Sequence, residues 1–138
     1  MRFTKSFILL RIFFYFNFWC LYVSAQGQYI CLGPPIPEGY VIIKLTSSNC
    51  GAFLVQQYIE PVKDGIEICF GSPLPNGYVI TRLNANGCGG VGRYIEKPRN
   101  GMVICRDSPI PHGYVVTRVI LNGCGSAGQY IELLIGRR

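Results

Sequence analysis

The sequence predicts an all-β fold made of three tandem modules, each about 37 residues long and each closed by its own disulfide. Three cysteine pairs share the same spacing of 19 residues. Each pair encloses a Gly-Tyr-Val run and is followed by a Tyr-Ile-Glu triplet. Such self-similarity at a fixed period indicates a repeat architecture. The pairs are Cys31/Cys50, Cys69/Cys88 and Cys105/Cys124.

The first 25 residues are predicted to be a secretory signal peptide, 1–25. Arg2 and Lys5 give it a basic start, an apolar run extends from 12 to 23, and Val23-Ser24-Ala25 offers the small residues that a signal peptidase recognises. The run is shorter than the roughly 20 residues that a transmembrane helix needs. We expect cleavage after Ala25, with an uncleaved N-terminal anchor as the alternative. The predicted location is secreted, extracellular or periplasmic.

Residues 26–138 are predicted to form one β-repeat domain. Its repeats span about 28–65, 66–101 and 102–138. Without the signal, ten basic and seven acidic side chains remain, so the net charge falls from +6 to +3. A nucleic-acid partner requires basic side chains clustered on one face. Only Lys97/Arg99 and Arg137-Arg138 cluster at all, which argues against such a partner.

The cysteines are predicted to form disulfides within each module. Loss of Cys20 with the signal leaves six, and an even number in an exported chain favours disulfides. Identical modules should be closed identically, which selects the three pairs given above. Each bridge would close a loop of about 20 residues and stabilise the fold by about 3 kcal/mol. Zinc sites need close cysteine pairs, usually with histidine. With His112 alone and no close pair, we predict no metal and no cofactor.

Each module is predicted to contain three strands. A short strand ends at the first cysteine, and a Pro-[Leu/Ile]-Pro-x-Gly segment then forms a β-turn, because proline cannot donate to a sheet. The long second strand, 78–83 in the middle copy, is rich in β-branched residues. The Tyr-Ile-Glu triplet is the third. Alternation predicts a core face of Val79, Thr81 and Leu83, with Tyr78, Ile80 and Arg82 on the other face.

The connections between modules predict how the array is arranged. Residues 61–65 end in Asp-Gly and residues 98–101 end in Asn-Gly, which are hairpin signals. Hairpins there would pair the last strand of one module with the first strand of the next. The unpaired strands at 28–31 and 130–133 would then pair with each other, which removes exposed sheet edges. We therefore predict a closed, pseudo-threefold compact domain, with an open row of modules as the alternative.

One motif carries a resemblance to known sequences. The pattern Cys-x-x-Ser-Pro-[Ile/Leu]-Pro-x-Gly-Tyr-Val-[Ile/Val]-Thr, at 69–81 and 105–117, resembles the repeat of small exported bacterial proteins of unassigned function. The resemblance covers nearly all of the chain after the signal. The first copy departs from it at Gly33-Pro34-Pro35 and Ile43. It implies secretion and paired cysteines, and it implies no activity.

The sequence predicts no enzyme. His112 takes the turn position held by Glu38 and Asn76 in the other copies, and no motif places a serine or aspartate beside it. The cysteines are assigned to disulfides, so nucleophilic catalysis has no machinery. The Gly-rich stretch 89–92 lacks the Lys-Ser/Thr and the helix of a phosphate loop.

A threefold set of side chains forms the candidate ligand face on the long strands. Tyrosine offers a flat ring and a polar tip for sugars or protein partners, although packing in the core or turns is the alternative. The basic residues are predicted to form cross-strand ion pairs with the triplet glutamates rather than an acid–base site. These pairs are Lys44/Glu60, Arg82/Glu96 and Arg118/Glu132. The candidate face comprises Tyr40, Lys44, Tyr78, Arg82, Tyr114 and Arg118.

These features predict a secreted, non-enzymatic binding protein. Three equivalent faces favour multivalent binding to a surface glycan, an envelope component or a protein. One alternative is a protease inhibitor that presents the Pro-[Ile/Leu]-Pro-x-Gly turns. Another is a structural coat or matrix protein. The sequence does not identify the extracellular partner or the oligomeric state.

Overall fold

The computed structural model describes residues 26–51 and 54–135, and these residues form the predicted all-β fold. The predicted signal peptide and Arg137-Arg138 lie outside the described residues. Short 3-10 turns occur at Cys88–Gly90 and Gly123–Gly125. The strands are β1 (Gln28–Cys31), β2 (Tyr40–Ser47), β3 (Val55–Pro61), β4 (Ile66–Ile68), β5 (Val79–Asn84), β6 (Gly92–Glu96), β7 (Met102–Cys105), β8 (Tyr114–Leu121) and β9 (Ala127–Leu133).

The strands form three separate antiparallel sheets, one per repeat. Their orders are β1-β3-β2, β4-β6-β5 and β7-β9-β8, so the third strand of each repeat is central. We call these sheets, with their turns and disulfides, modules 1, 2 and 3. Three modules in tandem are confirmed.

The predicted hairpins between modules are wrong. Both edges of β3 are occupied by β1 and β2, so β4 cannot pair there and joins β6 instead. In the same way β9 lies between β7 and β8, and β1 pairs with β3 rather than with the C-terminal strand. Neighbouring sheets meet in sequence order, β2 with β4 and β5 with β7. The structure therefore has the open row rather than the closed arrangement.

The three predicted disulfides are present. Each connects the end of the first strand to the loop that precedes the central strand. The Cα atoms are 5.4 Å apart for Cys31–Cys50, 4.5 Å for Cys69–Cys88 and 5.1 Å for Cys105–Cys124. Every module is thus closed within itself.

The proline-rich segments form the predicted β-turns. In module 1 the Tyr40 N–H donates to the Pro37 carbonyl at 3.1 Å, and Gly39 has a φ of +80°. A positive φ at the third turn position is the geometry that favours glycine. The same bond recurs in modules 2 and 3, between Tyr78 and Pro75 and between Tyr114 and Pro111.

A β-bulge in each long strand changes which residues face the core. The register shifts between Ile42 and Lys44, and equivalent shifts occur in β5 and β8. Because a bulge inserts an extra residue, strict alternation fails beyond it. Leu83, which lies beyond the bulge, is exposed, whereas Val79 and Ile80, which precede it, are both buried. The predicted core face of Val79, Thr81 and Leu83 is therefore wrong.

Each long strand supplies two cores through two consecutive residues that precede the bulge and point to opposite faces of the sheet. In module 1, Ile42 and Ile59 pack with Cys69 of module 2. The preceding residue, Val41, packs instead into the core of module 2 around Ile68 and Ile95. Val79 enters the core of module 3 in the same way, with Ile104 and Ile131. We call each such contact between consecutive modules a join.

A serine completes each join. The Ser72 hydroxyl accepts the Ile42 N–H at 2.8 Å, and Ser108 accepts the Ile80 N–H at 2.9 Å. Both serines are buried. In the first join the Cys69 N–H also donates to the Ile42 carbonyl at 2.8 Å. The serine of the Ser-Pro motif therefore pairs a buried amide of the preceding module, which buried backbone groups require.

Candidate ligand-binding face

The structure separates the six predicted face residues into two locations. Tyr40 and Tyr78 line a groove between the turns of modules 1 and 2. The Tyr114 hydroxyl donates to the Pro98 carbonyl at 3.2 Å. The basic residues are exposed elsewhere on the long strands, at Lys44, Arg82 and Arg118. The bulge lies between each tyrosine and its basic neighbour, so alternation does not bring them together.

Two of the basic residues instead stack on tyrosines of the central strands. The Arg82 guanidinium carbon lies 3.9 Å from the centroid of the Tyr94 ring, and that of Arg118 lies 5.1 Å from Tyr130. In module 1, Lys44 is in register with Tyr58. An arginine over a tyrosine face makes a favourable cation–π contact. The candidate face predicted from the sequence includes the basic residues but not these tyrosines, although the recurrence of Tyr-Ile-Glu was a usable signal.

The first strand adds a residue that differs between modules. Tyr29, Glu67 and Val103 lie in register with the central tyrosines of modules 1, 2 and 3. The ring of Tyr29 is 4.7 Å from that of Tyr58. We call each tyrosine, its basic neighbour and this variable residue an outer face. The three outer faces share two components and differ in the third.

The outer face of module 2 is a polar cluster. The Asn84 amide donates to the Glu67 carboxylate at 2.9 Å. A hydrogen bond to Glu67 raises the pKa of the Tyr94 phenol above its ordinary value, with desolvation and the negative charge of Glu67 acting in the same direction. Arg82 opposes the shift. Tyr94 therefore keeps its proton to a higher pH than a free tyrosine does.

The predicted cross-strand ion pairs are wrong. The described residues contain two ion pairs, Glu60–Lys63 at 3.3 Å and Glu96–Arg99 at 3.1 Å. The register explains this outcome, because Glu60 lies opposite Val41 while Lys44 lies opposite Tyr58. The triplet glutamates pair locally instead. Lys44, Arg82 and Arg118 are thus not committed to the predicted glutamates.

Arg93 serves the fold rather than a binding face. Its guanidinium donates to the carbonyls of Phe70 and Ser72, both at 2.7 Å, and to that of Cys69 at 3.4 Å. Partial burial lowers the pKa of Arg93. This side chain holds the turn that carries Ser72, so we exclude it from the candidate ligand residues.

The groove between the first two modules is a second concave feature. It has a volume of about 350 Å³ and lies between two proline-rich turns. Val62 and Leu74 give it apolar walls, and Glu38 and Asn76 place polar groups at its rim. The tips of the three turns, Glu38, Asn76 and His112, are exposed.

Comparisons with known proteins supply no relative for this chain. No family model, no curated protein and no solved structure matches it. Within residues 26–51 and 54–135, no group of three or more His, Cys, Asp or Glu side chains could hold a metal ion. No helix in this part of the chain is long and apolar enough to span a membrane.

Proposed function

We propose that the protein is a secreted, non-enzymatic binding protein and that its three outer faces bind an acidic glycan outside the cytoplasm. The observation that carries the proposal is the stacking of Arg82 on Tyr94, at 3.9 Å, and its repetition at Arg118 and Tyr130. The same pair of side chains thus recurs on separate sheets at equivalent register positions.

The chemistry of the pair suits a sugar that carries a carboxylate or sulfate. The planar guanidinium binds such groups through two parallel hydrogen bonds. The tyrosine presents an apolar ring and a polar hydroxyl to the sugar. Stacking also restricts the arginine before binding, which lowers the entropy cost of fixing it. The variable neighbours, Tyr29, Glu67 and Val103, would tune each face to a different part of the ligand.

Export is supported by the cysteine chemistry. Three disulfides indicate an oxidising compartment, because cytosolic thiols are kept reduced. The N-terminal segment has the composition of a secretory signal. Both features support a role at a surface or in the extracellular space.

The tandem arrangement favours multivalent binding. Three modules joined through shared cores hold their outer faces in a fixed relation. Once one face is occupied, the other two meet the same polymer at a high effective concentration. Weak single-site affinities would then combine into tight binding of a long ligand and weak binding of a short one.

Titration of the oxidised protein with sulfated dextran and unmodified dextran tests the proposal. We expect saturable binding to the sulfated polymer, weaker binding at high salt, and successive losses in Arg82→Ala and the double variant Arg82→Ala/Arg118→Ala. Arg99→Ala is the matched control, since Arg99 is an exposed arginine outside the outer faces. Absence of saturable binding would overturn the proposal, as would equal losses in the Arg82 and Arg99 variants.

Protease inhibition is the second candidate, because three exposed turn tips are held by a repeated backbone hydrogen bond. Rigid exposed loops lower the entropy cost of binding. A panel of extracellular proteases distinguishes the two functions. Inhibition that is lost in His112→Ala or Asn76→Ala and unchanged in Arg82→Ala would favour the inhibitor.

A further inference from the structure

At the N-terminal end of the row, module 1 leaves accessible the residues whose counterparts in modules 2 and 3 are buried in the joins. In module 2, Ile68 at the end of β4 and Cys69 directly after it are 0% and 1% exposed. Their counterparts in module 3, Ile104 and Cys105, are equally enclosed, at 0% and 3%. In module 1, Ile30 is only partly buried and Cys31 is exposed. No module precedes them among the described residues.

The C-terminal end shows the complementary difference. Val41 and Val79 are 0% exposed because each enters the core of the next module. Their counterpart Val115 is only partly buried. Val116 is also only partly buried, whereas its counterparts in modules 1 and 2, Ile42 and Ile80, are buried. Val119 and Leu134 add apolar surface there, at 60% and 63% exposure.

The two ends are therefore the two halves of a join. The C-terminal end, which we call the tail, presents the outer edge of β8 with Val115 and Val116. The N-terminal end, which we call the head, presents the outer edge of β1 with Ile30 and Cys31. Unpaired sheet edges are ready templates for pairing with another chain.

We propose that the tail docks the head of a second copy of this chain, so that copies associate head to tail through the same contacts as the internal joins. Val115 would enter the core of module 1 of the next copy, as Val41 enters module 2. The Cys31 N–H would donate to the Val116 carbonyl, as the Cys69 N–H donates to Ile42. The inference does not depend on the proposed ligand.

The backbone of the head is oriented for this contact. The Leu32 N–H bonds to the Val55 carbonyl at 3.1 Å, inside the sheet of module 1. Donors alternate between the two sides of a strand in an antiparallel ladder. The N–H of Cys31, one residue earlier, therefore points to the open side of β1. This is the direction in which the Cys69 N–H points in the first join.

One residue makes the docking of two copies weaker than an internal join. Ser72 and Ser108 accept a buried N–H of the preceding module. The residue at that position in module 1 is Pro34, which has no hydroxyl. The Val116 N–H would lack its acceptor. Docking would therefore be reversible and concentration-dependent, and the row would grow by whole copies.

Sedimentation of the purified, oxidised protein over a wide concentration range tests the inference. The average mass should rise with concentration without stopping at a dimer, because head and tail are different surfaces. Val115→Arg should weaken association by about 100-fold or more, since docking would bury an unpaired charge. Pro34→Ser should strengthen it by about 2- to 10-fold, because it restores one hydrogen bond.

Leu121→Arg is the matched control. Leu121 lies on the same strand and is 80% exposed, and its counterparts Ser47 and Ala85 are exposed even though a module follows them. This variant should associate like the unmodified chain. Circular dichroism and a thiol titration would establish that each variant is folded and oxidised.

Three results would overturn the inference. The first is a monomeric mass at every concentration for both the unmodified chain and Pro34→Ser. The second is association that Val115→Arg leaves unchanged. The third is a dimer that grows no further and does not respond to Pro34→Ser, which would indicate tail-to-tail pairing.

Discussion

The two faces of the middle sheet differ in what the three modules keep constant. On the inner face Ile68, Ile80 and Ile95 are buried, and nearly the same apolar residues occupy these positions in modules 1 and 3. On the outer face only the tyrosine and the basic residue recur. The third position changes from Tyr29 to Glu67 to Val103.

This difference follows from close packing. An inner-face side chain fills a core that it shares with the neighbouring module, so its shape and volume are restricted. An outer-face side chain meets solvent, and its substitution costs little stability. The outer face can therefore vary between modules without loss of the fold. The following variants test whether stability and binding separate between the two faces.

Removal of the Cys69–Cys88 disulfide of module 2 should have the largest effect on the free energy of unfolding. Cys69→Ala/Cys88→Ala opens a loop worth about 3 kcal/mol and leaves a small cavity at the first join, for a total of about 4 kcal/mol. The matched variant, Cys31→Ala/Cys50→Ala, removes a bridge whose first cysteine is exposed. It should cost less. If urea unfolding shows that the two double variants lose the same free energy of unfolding, burial of Cys69 in the first join does not add to stability.

Truncation of the buried isoleucine of the central strand comes next. Ile95 is fully buried between Val41 and the rest of its own core. Ile95→Ala should reduce the free energy of unfolding by about 3 kcal/mol, because it leaves a cavity. Arg82→Ala, on the outer face of the same sheet, should cost less than about 1 kcal/mol. If the two variants lose similar free energies of unfolding, the inner and outer faces do not differ in their contribution to stability.

The join serine should have an intermediate effect. Ser72→Ala leaves the buried Ile42 N–H without an acceptor, which should cost about 1–3 kcal/mol. Ser126→Ala changes an exposed serine and should cost less than about 0.5 kcal/mol. Thermal unfolding of the two variants checks this prediction. An unchanged midpoint for Ser72→Ala would show that the join does not need the hydroxyl.

The outer-face variant Glu67→Gln should leave the fold intact and change the alkaline titration of Tyr94. The hydrogen bond to Glu67 raises the pKa of Tyr94, so Glu67→Gln should bring that phenol to a lower pKa. A raised tyrosine pKa stabilises the fold below the unfolded value of about 10, and this contribution is lost as pH rises through the folded value. Phenolate absorbance during alkaline titration measures the shift.

Tyr94→Phe identifies the signal in that titration. It should remove one late-titrating phenol from the absorbance curve and leave the others in place. If the late component persists in Tyr94→Phe, another tyrosine carries it, and the polar cluster of module 2 does not act as described.

The local features of the fold could be predicted from the sequence. Cysteine spacing, proline turns and β-branched runs are short-range signals, and the nine strands, the turns and the disulfides of the described residues follow from them. The partners of each strand could not be predicted. Asp64-Gly65 has the composition of a hairpin turn, but the strand before it already has two neighbours. Pairing is decided by competition among distant segments.

The candidate site was predicted only in part for a related reason. The bulge after Ile42 has no glycine or proline to mark it, so alternation placed Tyr40 and Lys44 on one face. One inserted residue reverses the phase of a strand. The basic residues could be selected because they recur, whereas their ring partners depend on the register that the bulge changes.

The sharing of cores between modules also affects how the protein responds to proteolysis. Because consecutive residues of one strand enter different cores, no module encloses a complete apolar interior by itself. A single peptide cleavage between modules would weaken both of the units that it separates. We therefore expect proteolysis to be all-or-none, so that the chain is either intact or degraded without stable fragments.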